Sequence, residues 1–185
     1  MIDINALRQE IKSFQCLYDG ENEDREAMLK LLDSPSPFHR QQFQPGHFTA
    51  SAFVLHPSKE SILLIFHEKL KLWLQPGGHV DPADASVQAA AARELAEETC
   101  VTDAILHPHI EGPLAIDIHT IPARKSEPDH LHFDIRYLFL AANEEIQAES
   151  DALDARWVPF TELEDLKTDT SVLNTIRRIR QLLTL

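Results

Sequence analysis

Hydrophobic residues recur with helical spacing near both ends of this 185-residue chain and form short continuous runs between them. The spacing predicts amphipathic helices over residues 2–18 and 22–32 and a closing helix over residues 171–182. The first helix places four apolar side chains on one stripe: Leu7, Ile11, Phe14 and Leu17. Prolines and serines at residues 33–37 interrupt the pattern and predict a hinge or linker.

The middle of the chain is typical of a β-sheet, because its apolar runs are short and rich in β-branched and aromatic residues. We expect strands over five segments: 47–55, 61–66, 101–106, 115–121 and 132–141. Residues 70–74 extend the second strand or pair with it, and a last short strand begins at Trp157. The chain then divides into a helical N-terminal extension, residues 1–45, and a domain of residues 46–185. The extension either covers the sheet or forms the interface of a homodimer.

Three glutamates are concentrated in the hexapeptide RELAEE at residues 93–98. Glu94, Glu97 and Glu98 are spaced i, i+3 and i+4, so a helix brings them within an arc of about 100°. Like charges at this spacing repel one another and weaken an isolated helix. A hard divalent cation with oxygen ligands would relieve the repulsion. The hexapeptide therefore indicates a metal site.

The residues before the hexapeptide favour a packed helix over a simple charged surface. Asp84 or Ser86 can cap the first turn, and the alanines that follow are strong helix formers. The carboxylate stripe also carries three small apolar residues, which suit close packing: Val87, Ala90 and Ala91. The alternative is a solvated acidic face with Arg93 as its local counter-ion.

A glycine pair precedes this helix in the segment QPGG, residues 75–78. Pro76 and Gly77 suit the two central positions of a type II turn. Glycines also let a backbone come close to a ligand and offer it carbonyl or N–H groups. The order of strand, glycine turn, loop and acidic helix is more informative than the glycine pair alone.

From Gly77 to Val101 the chain resembles the signature box of the Nudix hydrolases, G-x5-E-x7-R-E-U-x-E-E-x-G-U with U aliphatic. Six residues of its second half fall in register: Arg93, Glu94, Leu95, Glu97, Glu98 and Val101. There are three departures. Cys100 replaces the late glycine, Asp84 stands in place of the early glutamate, and one extra residue lies between Asp84 and Arg93.

This resemblance implies an α/β (α+β) fold, a Nudix-like αβα sandwich with a mixed β-sheet and a helical N-terminal extension. It covers about residues 46–182. It also implies a bound Mg²⁺ ion, with Mn²⁺ as a substitute. By position, Glu97 and Glu98 would be the main metal ligands and Glu94 a ligand or the general base. Arg93 would orient the carboxylates, and Gly77 would offer a backbone carbonyl to the metal.

Histidines are the second informative feature, with ten in the chain. The segment HLHFD at residues 130–134 places two imidazoles and a carboxylate on one face of a strand. It resembles part of the metallo-β-lactamase metal motif, but Ile135 stands where that motif continues with a histidine. We expect instead that four residues contact substrate in a cleft beside the metal helix: His79, His119, His132 and Asp134. The alternative is the solvent face of an ordinary half-buried sheet.

Composition restricts the partners. The formal net charge of −13 would repel a long nucleic acid. A small phosphorylated substrate is still compatible, because a metal and a few basic side chains can receive it: Lys69, Lys71, Arg124 and Lys125. No run of about 18 apolar residues predicts a membrane span. Two cysteines without a disulfide or zinc spacing favour a reducing cytoplasm.

These observations predict a metal-dependent hydrolase that cleaves a diphosphate linkage in a small nucleoside diphosphate-type (NDP-X) compound. The alternative is a non-catalytic Nudix-like domain that binds a nucleotide or nucleotide-sugar as a regulatory ligand. The presence of all three glutamates and Arg93 favours the enzyme, because a binding domain has no need of the whole set.

Overall fold

The computed structural model describes residues 2–124 and 127–183. Its four helices are α1 (Ile4–Ser13), α2 (Glu21–Leu31), α3 (Val87–Thr99) and α4 (Thr170–Leu183). Its eight strands are β1 (Gly46–Leu55), β2 (Ser61–His67), β3 (Trp73–Leu74), β4 (Gly77–His79), β5 (Ile105–Leu106), β6 (Ala115–Ile121), β7 (His130–Leu140) and β8 (Ala152–Pro159). Lys125 lies outside the described residues.

All eight strands belong to one mixed sheet with β1 and β7 at its centre. These two strands pair in parallel from Gly46↔Leu131 to Leu55↔Leu140. The other pairings are antiparallel: β1 with β2 and β4, β2 with β3 and β8, and β7 with β5 and β6. The long parallel pair needs a crossover connection, which includes α3.

Helices cover the sheet on both sides. Alternate residues of β1 and β7 pack with the apolar faces of α1, α2 and α3 in one core: Phe48, Ala50, Ala52, Phe133, Ile135 and Tyr137. The intervening residues near the carboxyl ends of the same strands pack with α4 in a second core: Phe53, Leu55 and Leu138. This confirms the expected αβα sandwich with a mixed sheet.

The N-terminal helices lie on the sheet and share a core with α3. Leu7 and Ile11 of α1 and Met28 of α2 are each at most 4% exposed. Pro37, in the segment predicted as a linker, is buried and accepts a hydrogen bond from the Phe48 N–H at 2.8 Å. The extension therefore covers the sheet, and a homodimer stays a prediction. None of the described helices is long and apolar enough to span a bilayer.

The prediction of a first helix reaching residue 18 is wrong. Helix α1 ends at Ser13, and Leu17 is 50% exposed instead of buried. The cause is Glu21, whose carboxylate accepts hydrogen bonds from the N–H groups of Leu17 and Tyr18 at 2.7 and 3.0 Å. These bonds hold the chain in a turn before α2, which no apolar periodicity can reveal.

Two strand boundaries also differ from the prediction. The strand expected over residues 101–106 is reduced to Ile105–Leu106, because only these two residues pair with β7. The last strand begins at Ala152 instead of Trp157, since pairing with β2 extends toward His67.

The type II turn predicted at Pro76–Gly77 is wrong as well, because Gly77 lies in β4 and pairs with Ser51. Its φ is outside the left-handed region that such a turn requires. The lack of room for a side chain explains why this residue is a glycine. A Cβ there would lie 2.4 Å from the Ser51 hydroxyl and 2.7 Å from the Ala50 carbonyl oxygen.

Candidate active site

A cleft of about 550 Å³ lies where β4, β1, β7 and β6 present polar side chains. Strand register arranges the polar side chains of this sheet face in two rows across β1, β7 and β6: Thr49, Asp134 and Asp117 in one, His47, His132 and His119 in the other. Of these six, His47 and Asp117 are not among the residues that line the cleft. The same sheet face becomes apolar at Phe53 and Leu138, where α4 covers it. The cleft therefore occupies the half of this face that α4 leaves open.

The acidic helix reaches the cleft beside β4. Ser86 caps α3 by accepting the Ala89 N–H at 3.1 Å, as predicted. Gly78 has no side chain, and a Cβ there would lie 2.6–2.7 Å from the carboxyl atoms of Glu94. The Gly77 N–H donates to Glu98 Oε2 at 2.9 Å. The glycine pair thus lets two carboxylates approach the cleft wall.

Arg93 links the acidic residues of the box to one another. Its guanidinium donates to both Asp84 carboxylate oxygens at 3.1 Å and to the His79 carbonyl at 2.8 Å. It also donates to Glu94 Oε1 at 3.0 Å and to Glu97 Oε1 at 3.3 Å. Burial would raise the pKa of Asp84, but the bonds from Arg93 lower it. Asp84, the variant position of the box, therefore anchors Arg93.

Burial disfavours the charged forms of Glu98 and Glu94. Glu98 is 5% exposed, and burial raises its pKa to about 7, with Glu94 adding to the effect and the Gly77 hydrogen bond opposing it. Burial also raises the pKa of Glu94, against the opposing influence of Arg93. Oxygen donors with raised pKa values fit a hard divalent cation, which would stabilise their charged forms.

Most of the predicted site residues line this one cleft: Gly77, His79, Glu94, Glu98, His119, His132 and Asp134. Glu97 is different, because its side chain is 53% exposed and its described contact is the one with Arg93. Arg93 itself lies behind the carboxylates that it binds. The roles assigned to these residues as ligands, base or substrate contacts stay predictions.

Asp134 and His119 both line the cleft and contact neighbouring polar or charged side chains. The Asp134 carboxylate accepts from the hydroxyls of Thr49 and Ser51 at 3.1 and 2.9 Å, and from Arg136 Nε at 2.9 Å. His119 Nδ1 lies 2.8 Å from Asp117. Burial would lower the pKa of His119, but the Asp117 hydrogen bond and the nearby carboxylates raise it. The Asp117 carboxylate thus favours the protonated form of the His119 ring.

Four imidazoles lie together at one end of the cleft: His47, His79, His130 and His132. The ring of His47 is 5.1 Å from His79, 5.2 Å from His130 and 4.8 Å from His132, measured between centroids. Burial and the neighbouring imidazoles lower the pKa of His79 to about 4 and that of His132 to about 2. His79 and His132 are therefore neutral near pH 7.

Sequence reasoning missed His47, which is fully buried in β1. Its signal was the alternation of His47, Thr49 and Ser51, three polar residues on one face of an otherwise apolar strand.

Basic side chains also line the cleft. Lys69 and Arg124, both predicted, are present there together with Arg40, which was not. Lys69 pairs with Asp151 at 2.7 Å, and Arg40 lies 3.8 Å from Glu127. Lys71 is not among the residues that line the cleft. The cleft therefore combines acidic residues on one wall with three basic residues that a phosphate could contact.

Solved structures of other proteins have a fold similar to that of this chain. The NUDIX domain of Shewanella oneidensis NrtR, solved with ADP ribose, is 22% identical, with 85% of this chain and 98% of that chain covered and a TM-score of 0.59. A NUDIX-family hydrolase from Clostridium perfringens is 23% identical, with 78% and 97% covered and a TM-score of 0.55. An Ap4A hydrolase from C. elegans is 17% identical, with 74% and 97% covered and a TM-score of 0.55.

Sequence comparison is more specific. A Bacillus subtilis protein named "Putative 8-oxo-dGTP diphosphatase" is 43% identical over 53 residues, which is 28% of this chain and 35% of that relative. The chain thus matches about a third of the length of this curated relative. The NUDIX domain family model matches residues 45–178, most of the chain. Together with the box helix and its glycine strand, this match shows that the chain belongs to the Nudix family.

Proposed function

We propose that this protein is a divalent-metal-dependent hydrolase that cleaves the diphosphate linkage of a small NDP-X compound. The observation that carries the proposal is that Glu94 and Glu98 line the same cleft as three basic residues: Arg40, Lys69 and Arg124. A diphosphate needs both features, a cation held by carboxylates at the scissile bond and positive charge for the remaining phosphate oxygens.

The residues present fit Mg²⁺ or Mn²⁺. Glu94 and Glu98 would hold the ion, with Glu97 or the Gly77 carbonyl as further oxygen donors, and these are the ligands that such ions prefer. When bound, the ion neutralises charge on the phosphoryl oxygens and lowers the pKa of a coordinated water.

The chain's own residues hold this arrangement in place. Arg93 binds one oxygen each of Glu94 and Glu97, which leaves the second oxygen of each carboxylate free of that contact. The Gly77 N–H fixes Glu98 from the strand side at 2.9 Å. Glu94 can serve as a ligand or as the general base that takes the proton of the attacking water.

The names of the relatives support a nucleotide as the substrate class. They mention 8-oxo-dGTP, ADP ribose and Ap4A, which share an anhydride of phosphates attached to a nucleoside. We infer that the substrate is a compound of this kind, with X as its variable group. The diphosphate is the part that would be recognised, through the metal ion that Glu94 and Glu98 hold.

Hydrolysis of a panel of compounds, with chromatographic separation of the nucleotide products, tests the proposal. The panel contains nucleoside triphosphates including 8-oxo-dGTP, nucleotide-sugars, ADP-ribose, dinucleoside polyphosphates and NADH, each with Mg²⁺ or Mn²⁺ and with EDTA. We expect metal-dependent hydrolysis of at least one compound and a loss of at least about 100-fold in Glu98→Gln, because metal affinity depends strongly on the ligand shell.

The rival hypothesis, a ligand-binding domain without catalysis, makes the opposite prediction. A compound that raises the melting temperature of the protein but is not hydrolysed with either metal would support this rival. Activity in Glu98→Gln equal to that of the wild type would contradict the assignment of Glu98 as a ligand.

A further inference from the structure

The histidine end of the cleft contains three ring nitrogens arranged around a common point. His47 and His132 are register partners in the parallel β1–β7 pair, and His130 lies on the same face of β7 two residues before His132. One ligand atom from each of the three residues lies within 4.8 Å of the other two. Nitrogens bound tetrahedrally to one metal ion at about 2.0–2.1 Å lie about 3.4 Å apart, so the three rings must move slightly closer together to bind one ion.

In two of these imidazoles, a hydrogen bond to a backbone carbonyl determines which ring nitrogen carries the proton. His47 Nδ1 lies 3.2 Å from the Gln42 carbonyl oxygen, and His130 Nδ1 lies 2.9 Å from the Pro128 carbonyl oxygen. A carbonyl can only accept, so Nδ1 carries the hydrogen in both rings, and Nε2 of each neutral ring keeps a lone pair. A histidine that binds a metal usually has this contact on its other nitrogen.

The Nε2 atom of His47 gives the strongest indication that a cation binds here. The residue is fully buried, and this atom has no hydrogen-bond partner among the described residues. A buried polar atom without a partner destabilises the folded protein. A cation between the Nε2 lone pairs of His47 and His130 would satisfy both nitrogens at once.

We propose that His47, His130 and His132 form a binding site for one Zn²⁺ ion, separate from the acidic site for Mg²⁺ or Mn²⁺. Imidazole nitrogen is a preferred ligand of Zn²⁺, whereas Mg²⁺ prefers oxygen. Three histidines that leave a fourth position open are typical of zinc sites that bind water or a substrate oxygen. His130 and His132 line the cleft, so the open position faces the space where a phosphate would bind.

The sequence comparison with the metallo-β-lactamase motif pointed to a different set of ligands. That set would include Asp134, whose carboxylate is bound by Thr49, Ser51 and Arg136. The structure replaces it with His47, which comes from another strand. His79 connects the two sites, because its ring stacks on His47 and its carbonyl accepts a hydrogen bond from Arg93 at 2.8 Å.

Direct titration with zinc tests the proposal without any substrate. The full-length protein is stripped with EDTA, dialysed and titrated with Zn²⁺ against a chromophoric chelator, and Co²⁺ is added in parallel to record the absorption of a tetrahedral site. We expect one equivalent of tightly bound Zn²⁺. His132→Gln should weaken binding at least about 100-fold, as expected on loss of a ligand.

Matched variants locate the ion. His109→Gln, an exposed histidine outside the cleft, and Glu98→Gln should both keep one equivalent of zinc. His47→Gln repeats the test at the buried position, with circular dichroism to show that each variant is folded. The proposal is overturned if the folded wild type binds no zinc, if His132→Gln binds it as tightly as the wild type, or if Glu98→Gln alone abolishes binding. None of these outcomes depends on whether the protein hydrolyses a diphosphate.

Discussion

Glu97 and Glu98 are adjacent in the chain, yet their environments differ sharply. Glu98 is 5% exposed and bound by the Gly77 N–H, whereas the Glu97 side chain is 53% exposed and contacts Arg93. A buried carboxylate without a nearby cation favours its protonated form. Glu98 therefore couples the stability of the metal-free protein to pH.

At the residue scale, metal-free protein should lose stability as the pH rises. The pKa of Glu98 is about 7 in the folded state and near 4.5 when unfolded, so the folded state binds more protons between these values. The favourable contribution of Glu98 to the free energy of unfolding is complete below about pH 4.5 and is lost by about pH 7. The upper limit of this contribution is about 3 kcal/mol.

Urea denaturation in EDTA at pH 5 and pH 7.5 measures this effect. The difference in free energy of unfolding between wild type and Glu98→Gln should change with pH, while Glu97→Gln should follow the wild type. Mg²⁺ should restore stability at pH 7.5. Parallel pH dependence in wild type and Glu98→Gln would contradict the assignment.

At the scale of elements, the short strand β4 connects the acidic helix α3 with the sheet. Its two glycines have different neighbours. A Cβ on Gly78 would meet the Glu94 carboxylate, the end of a flexible side chain, but a Cβ on Gly77 would meet the backbone of Ala50 and Ser51. Helix α3 ends at Thr99, and the next residue, Cys100, has a left-handed φ of 58°, so the family's glycine at this position has a conformational reason.

This difference predicts opposite effects of two alanine substitutions. Gly78→Ala should displace the Glu94 carboxylate and lower kcat by about 100-fold with little change in melting temperature, because small misplacements of a catalytic group are costly. Gly77→Ala should lower the free energy of unfolding by about 1–3 kcal/mol, since strand β4 must move away from β1. Steady-state kinetics and thermal denaturation of both variants make the comparison. Equal loss of stability in the two would contradict it.

At the scale of the whole molecule, a buried ion pair joins the two ends of the chain. Arg178 of α4 donates to Glu21 Oε2 of α2 at 2.6 Å and stacks over the rings of Phe14 and Tyr18. Arg178 is 3% exposed and Glu21 is 8% exposed. The N-terminal extension is therefore held to the closing helix by charge as well as by its apolar face.

Breaking this pair should be much more harmful than removing both partners. Arg178→Met leaves a buried carboxylate without its cation and should lower the free energy of unfolding by about 3–5 kcal/mol. The double variant Glu21→Leu/Arg178→Met should recover part of that loss. Arg180→Ala, an exposed arginine on the same helix, should change stability by less than about 0.5 kcal/mol. Urea denaturation measures the free energy of unfolding of each variant. A decrease in Arg178→Met no larger than that in Arg180→Ala would contradict the role of the pair.

Local patterns were sufficient for much of the fold and for the acidic half of the site. The apolar runs of β1, β2 and β7, the amphipathic α4 and the box helix depend on neighbours in sequence, so they could be predicted. The end of α1 at Ser13 could not, because it depends on a side chain of α2 that binds the intervening backbone.

By itself the sequence determined the acidic helix with its glycine pair, since spacing along one helix sets which carboxylates share a face. Only the tertiary structure decided which of them is buried in the cleft, because β4 covers Glu98 and leaves Glu97 in solvent. The histidine cluster depends still more on tertiary structure. His47 and His132 are 85 residues apart, and only the parallel pairing of β1 with β7 places them side by side.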